Sequence, residues 1–338
     1  MSAGGDESRF ALCRTAIRTG KIMTRFLQNA HHAELAAHLT HWLEHCAGTA
    51  YQPYALIDMS QLDDTARRGL MRASWTSTAM LDGSRYAAYD ELGPRLFPLA
   101  NADAVCVARL LSVTDRRPAL SVIELPVRNG SAELGTLHWL ADAQTADGTR
   151  LYCRFTDTRI LPEVLGILDP AQKTRLARAA RRWAWVARDG TLQTTNIAPA
   201  DTAEPSDDET SIHFNDAQFA ALMQATEADT LFDILNDNAP KTIPTAEPAE
   251  LWHRLNVLLG IARTHGITDA PDQGQFIFLA WHVSEHFHTL PALAPSFDAI
   301  RRGTLRFPDA VAHWDSDIWN QLEAMADRPG IAPAAEPQ

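Results

Sequence analysis

The stretch LHWLADAQTADGTRLYCRFTDTRILPEVLGILDP, residues 137–170, most constrains what this chain can fold into, because every few residues of it demand a different backbone. Residues 149–155 alternate, with Leu151, Cys153 and Phe155 on one side and Arg150, Tyr152 and Arg154 on the other, which is the period of a strand with one buried face. Asp147-Gly148 ahead of it signals a turn. Behind it, Thr156, Asp157 and Thr158 offer short side-chain oxygens to the unpaired amides of a helix start, and Pro162 belongs in that helix's opening turn. A second helix opens at Asp169-Pro170-Ala171-Gln172, with Asp169 as cap, Pro170 at the first helical position and Gln172 closing a capping box.

Arg154, Asp157 and Arg159 can be read two ways. Arginine forks bind planar oxyanions, so the group suits an anion site. It equally suits an internal ion-pair network that pins the strand end to the next helix, and this second reading is preferred because charge clusters are often structural.

The run Arg154-Phe155-Thr156-Asp157-Thr158-Arg159-Ile160-Leu161 resembles the R-F-x-D-P-R-x-L signature of the domain-of-unknown-function 4123 family, the adaptor chaperones of bacterial type VI secretion. Tyr54-Ala55-Leu56-Ile57-Asp58 resembles that family's opening strand. Leu81-Asp82-Gly83-Ser84 resembles its L-x-D-G-T turn, and Leu92-Gly93-Pro94-Arg95-Leu96 its G-P-x-L element. Order and spacing agree over residues 54–190. Thr158 stands where the family has proline, which removes a preset backbone angle from the turn. The resemblance implies a cytoplasmic adaptor that binds a type VI secretion effector, a toxin, and helps load it onto the spike tip protein.

Elsewhere, helix 31–46 carries an apolar stripe of Leu35, Leu39, Trp42, Leu43 and Cys46, with His31, His38, His41 and His45 on a neighbouring stripe. One straight helix rarely supplies tetrahedral ligation, so these histidines read as a partly solvated flank. Strands are expected at 53–59, 104–111 and 119–125, and helices at 61–74 and 132–143. That interleaving favours one mixed sheet covered by helices. A helix over 171–187 would present Lys173, Arg175, Arg178, Arg181, Arg182 and Arg188 outward and Leu176, Ala180, Trp183 and Ala187 inward. Arg178, Arg182 and Trp185 are the expected partner-binding residues, because arginine beside an exposed aromatic is enriched at interfaces.

Residues 188–213 hold five acids between Asp201 and Glu209 and no lysine or arginine after Arg188, so they read as a linker that cannot bury enough apolar surface to fold. Six helices are expected beyond it, at 214–224, 228–236, 247–265, 273–288, 292–302 and 307–325. The expected organisation is an N-terminal extension (1–30), an α/β adaptor domain (31–190), an acidic linker (191–213), an all-α helical lobe (214–326) and a disordered tail (327–338). Met23 is read as an alternative start.

The chain's 42 acidic and 30 basic residues, a net charge of -12, argue against a general nucleic-acid binder and an anionic membrane surface. No stretch has the length and apolarity of a spanning helix or a signal peptide. Cys13, Cys46, Cys106 and Cys153 form no C-x-x-C pair and read as reduced core thiols. No G-x-S-x-G elbow or G-x-x-x-x-G-K-[ST] loop occurs, so binding is the expected function, with no catalytic residue, metal or cofactor. The alternative is a zinc-dependent hydrolase using His282-Val283-Ser284-Glu285-His286, which matches H-x-x-E-H and would need a third ligand, Glu323 being the main helical carboxylate left. A scaffold without a client is a third reading.

Overall fold

A computed structural model describes residues 26–46, 50–72, 75–89, 91–100, 104–126, 131–199 and 210–326; Cys13, Met23, the tail and the acids of 201–209 lie outside them. The chain divides into two compact units, Phe26–Glu227 and, among the described residues, 228–326.

The first unit runs α1 (Leu35–Glu44), β1 (Tyr51–Ile57), α2 (Asp64–Met71), β2 (Thr78–Ala79), β3 (Arg95–Pro98), α3 (Ala104–Thr114), β4 (Leu120–Pro126), α4 (Ser131–Ala141), β5 (Asp142–Thr145), β6 (Arg150–Tyr152), α5 (Leu161–Ile167), α6 (Pro170–Ala179), β7 (Arg182–Val186), β8 (Leu192–Asn196) and β9 (Ile212–Phe214). The α/β class holds, but there are two sheets rather than one. Six strands pair in the order β2-β3-β1-β4-β7-β8, antiparallel throughout, while β6-β5-β9 form a small sheet with β5 and β9 parallel.

The large sheet is buried on both faces. Leu56, Leu96, Ile123 and Trp183 enter one core. Their sequence neighbours Ile57, Phe97, Val122 and Ala184 enter the other, beside Leu35, Leu39 and Trp42 of α1. Successive strand residues point to opposite faces, so such a strand reads as a continuous apolar run. Two expectations fail for this reason. Residues 104–111 are not a strand but most of α3, whose buried Leu110 and Thr114 are four apart. Helix 171–187 ends at Ala179, and Ala180 turns extended (φ -135, ψ 138) to lead into β7.

Only part of the local grammar of residues 137–170 is realised: the strand expected at 149–155 shortens to β6, and α5 is capped at Ile160 with no side-chain bond from Thr156, Asp157 or Thr158. Gly148 takes φ 84 in the turn, Pro162 sits in the first turn of α5, and Asp169 and Gln172 form a reciprocal capping box. Asn215 and Gln218 form a second one at the start of α7 (Asp216–Asn238). The two glutamines bond each other at 2.9 Å, and Gln218 also donates to the Ile167 carbonyl. The opening turns of α7 are thereby held to the first unit, and the division between units falls inside this helix, not in the acidic stretch.

Parts of the expected linker and extension are structured. Residues 192–196 form β8, and Ile212 is fully buried. Leu27 is fully buried, Gln28 donates to the Ala187 carbonyl, and the Asn29 and His32 amides donate to Arg188 and Gly190. Gly190 has φ 83, and a Cβ there would overlap the Ala30 carbonyl oxygen. Gly190→Ala is therefore expected to destabilise the unit by about 2 kcal/mol, from backbone strain plus displacement of the 27–32 segment. Urea unfolding would show a lower midpoint; an unchanged midpoint would mean the segment contributes nothing.

The second unit continues α7 and adds α8 (Pro248–Thr264), α9 (Ala270–His282), α10 (Ala294–Arg301), α11 (Phe307–Ala312) and α12 (Ser316–Ala326). The two helices expected at 214–236 are one, because no Pro or Gly interrupts them; the single helix expected at 307–325 breaks between Ala312 and Ser316. Phe276, Phe287, Phe297 and Phe307 are buried against one another, with ring centroids 4.9 Å apart for Phe276 and Phe287. These aromatics form a core, as expected for a bundle. No helix of the described residues is long and apolar enough to cross a membrane.

Candidate functional site

The signature segment lies where β1 ends. Asp157 is 2% exposed and accepts from the Arg159 backbone amide and Nε at 3.0 Å, from Arg159 Nη2 at 2.7 Å and from Gln61 Nε2 at 3.0 Å. Arg154 lies 3.7 Å from Asp157 and 3.4 Å from Asp58, which also accepts from the Ser60 amide and hydroxyl and from Thr156. Arg154, Asp157 and Arg159 thus sit in one network with Asp58, Ser60 and Gln61, which ties the end of β1 to the loop before α5. Burial pushes the Asp58 carboxyl up, against the opposing pull of Arg154. Burial acts the same way on Asp157, but there the hydrogen bond and charge of Arg159 win, and its carboxyl is held below the usual range.

The threonine at position 158 has a local explanation. The Thr158 amide donates to the Pro118 carbonyl at 3.1 Å, and a proline has no such proton. What the turn loses in preset angle it regains as a bond to the loop before β4.

The basic residues expected on one helix face divide between two elements. Arg182 and Trp185 lie on β7, three apart on a strand and so on opposite faces of the sheet. Arg182 turns toward Glu124, a fully buried carboxylate on β4. Arg181 and Arg182 each grip Glu124 with two nitrogens, at 2.7–3.0 Å. Arg182 also lies over the Trp42 ring at 4.6 Å and contacts Cys46 Sγ at 3.0 Å. Burial alone would raise the Glu124 carboxyl, but the hydrogen bonds from Arg181 and Arg182 bring it down to about 2. The Cys46 thiol, buried and next to Glu124, is pushed up to about 12, which keeps it protonated and a poor nucleophile. Trp185 is half-buried against the core on the α4–α6 side. Arg178 remains exposed on α6, where it borders a cavity of about 680 Å³ together with Arg85, Arg150 and Arg175.

Residues 53–175 match the family model described as Domain of unknown function (DUF4123). The match supports that family for the segment, which contains the whole signature network and Glu124. No curated protein and no solved structure matches the chain.

Glu124 was missed in the sequence, although a lone acid inside Leu120–Leu125 is a signal. A buried carboxylate requires a partner, and Arg181-Arg182 is one of several adjacent arginine pairs in the chain that could supply it. Outside residues 53–175, the His282–His286 motif is not built as a zinc helix. The helix α9 stops at His282, Glu285 is paired with Arg254 at 2.6 Å, and both His282 and His286 are exposed. Two imidazoles one helical turn apart, with a carboxylate beside them, need an unbroken helix through the motif. Among the described residues no three His, Cys, Asp or Glu side chains gather as a metal set. His38, His41 and His45 line an exposed flank, with the His41 and His45 rings 4.4 Å apart, whereas His31 precedes α1 and is half-buried, its amide donating to Asp115.

Proposed function

We propose that this protein is an adaptor chaperone that binds a type VI secretion effector in the cytoplasm, stabilises it and helps load it onto the spike tip protein. The observation that carries the reading is the DUF4123 match over residues 53–175, within which the opening strand, the Asp-Gly turn, the Gly-Pro element and the Arg-Phe signature occur in order. Asp157 and Arg159 of this segment's charged signature are engaged with each other inside the fold, which supports a docking surface elsewhere. That surface includes the exposed apolar side chains of Met71, Tyr89, Leu92 and Val105 and the exposed Arg178. Burying such apolar groups against a client favours the complex by the area removed from water.

Co-expression with the product of the neighbouring large open reading frame is the test. The chaperone should raise that product's soluble yield and co-purify with it, and a toxin whose yield is indifferent to the chaperone removes the proposal. Within the complex, Arg178→Glu is expected to lower capture about tenfold while leaving the melting temperature in place, as loss of a charged contact at a protein surface would. Unchanged capture would take α6 out of the interface. Arg182 is unsuitable for this test because reversing it would unfold the sheet around Glu124.

A further inference from the structure

The six-stranded sheet ends differently at its two edges. β2 is two residues long, too short to template another strand, whereas β8 presents five, Leu192–Asn196. Among the described residues β8 pairs with β7 alone. The pairing is regular, running without a bulge from Val186 opposite Leu192 to Arg182 opposite Asn196. Two flanking bonds fix which backbone groups look inward: the Ala187 amide donates to the Thr191 carbonyl at 2.9 Å, and the Ile197 amide to the Arg181 carbonyl at 2.8 Å. Hydrogen-bonded and non-bonded pairs alternate along an antiparallel ladder. Gln193 and Thr195 therefore turn their amides and carbonyls to β7, while Leu192, Thr194 and Asn196 turn theirs away from the sheet. The Asn196 carbonyl meets only the Thr195 hydroxyl, at 3.5 Å. Gln193, on one face, and Thr194 and Asn196, on the other, are exposed, so this edge is open to solvent on both sides of the sheet.

A row of outward amides and carbonyls is a template for one more strand, and sheets ordinarily blunt it with proline, lysine or a bulge. β8 carries none of these: its sequence, Leu-Gln-Thr-Thr-Asn, holds no proline and no charge. What fills such a row must bring an extended backbone. A second copy of the chain fits poorly. Two β8 edges would share about 17 Å of strand, well short of the roughly 1,200 Å² that stable interfaces between folded chains bury. Each copy would also bring a net charge of -12. We infer that the β8 edge receives a strand of the adaptor's client: an extended, uncharged segment rich in threonine, valine or isoleucine that adds to the sheet beside β8. The inference rests on the adaptor reading for the source of the segment, and on the edge alone for its chemistry. Main-chain bonds from Leu192, Thr194 and Asn196 hold the client's backbone. The side chains flanking the row are apolar, hydroxyl or amide groups, which pair well with β-branched partners and offer no counter-charge to an ionised one. A segment of that kind left exposed is prone to aggregate, so covering it is a physical route by which the adaptor would keep its client soluble.

Hydrogen exchange tests it, read by mass spectrometry over residues 191–197 in the full chain alone and in its complex with the product of the neighbouring large open reading frame. In the chain alone the Gln193 and Thr195 amides should exchange slowly and those of Leu192, Thr194 and Asn196 quickly; in the complex both sets should be slow. Thr194→Pro removes an outward amide and spares the bonds to β7, so its melting curve should stay close to the parent's while client affinity falls about tenfold. Thr194→Ala, which deletes the side chain and keeps the amide, should bind like the parent. A complex in which residues 191–197 exchange as they do in the chain alone overturns the inference, whether or not Thr194→Pro folds. Equal losses from Thr194→Ala and Thr194→Pro would also overturn it, by placing the affinity in the threonine side chain. So would a chain that by itself scatters light as a dimer with residues 191–197 protected, which would make a second copy the occupant. If the product does not co-purify, the adaptor reading falls as well; if it co-purifies and leaves β8 unprotected, only the β8 reading falls.

Discussion

Glu124→Ala is expected to lower the stability of the sheet-bearing unit by about 3 kcal/mol, the scale for removing one partner of a buried ion pair. The fully buried carboxylate takes two bidentate arginine grips, and its loss leaves the guanidinium groups of Arg181 and Arg182 against Trp42, Tyr51 and Cys46 with no counter-charge. For a unit of this size the melting temperature should fall by roughly 6–12 °C. The pH profile gives a second handle. The folded Glu124 titrates near 2, below its ordinary 4.5, so its contribution is complete above pH 4.5 and disappears as the pH falls toward 2. Wild-type protein should therefore lose stability across that window, and Glu124→Ala should show a shallower loss. Replacing the set with apolar groups of similar volume, Glu124→Leu with Arg181→Met and Arg182→Met, should recover much of the deficit, since a dry, well-packed substitute can match a buried ion pair. A Glu124→Ala protein that melts with wild type would mean that water already screens these arginines.

How much of this was legible in the sequence depended on the range of the interaction. The Asp169–Gln172 capping box and the Asp147-Gly148 turn are decided by neighbours a few residues apart, and the structure builds them as read. The α1 stripe likewise follows from helical spacing, with Leu35, Leu39 and Trp42 buried. Residues 180–187 were misread because a strand buried on both faces has no alternation. Trp183 and Ala184 are both fully buried, and Leu176, Ala180, Trp183 and Ala187 also fit a helical stripe. Pairing with β4 decides the matter, through contacts about sixty residues away such as Ser121 opposite Trp185. The same long-range pairing brings Glu124 to Arg181 and Arg182. Of the arginines lining the cavity beside α6 only Arg178 was singled out as a site residue, since Arg85 and Arg150 meet α6 through the tertiary fold.

The signature network makes the second large prediction, and its two buried aspartates should behave differently. Asp157→Ala is expected to cost about 3 kcal/mol, because it strips the Arg159 fork and amide and the Gln61 side chain of their common acceptor inside the protein. Asp58→Asn should cost only about 1 kcal/mol or less. Its charge is already disfavoured by burial, and a neutral amide oxygen can still accept from the Ser60 amide and hydroxyl. The pH signs are opposite as well. Asp157, held below its ordinary value, stabilises the fold at neutral pH and loses that contribution as acid protonates it. Asp58, raised above its ordinary value, opposes folding while charged, and acid relieves that opposition. Chemical denaturation of the two single variants at neutral pH checks the order directly. Equal losses would show that the network acts as one unit, with no separable role for the two carboxylates. The predicted order would show that Asp157 is the acceptor on which the loop before α5 is hung, while Asp58 chiefly orients Arg154 and the turn after β1.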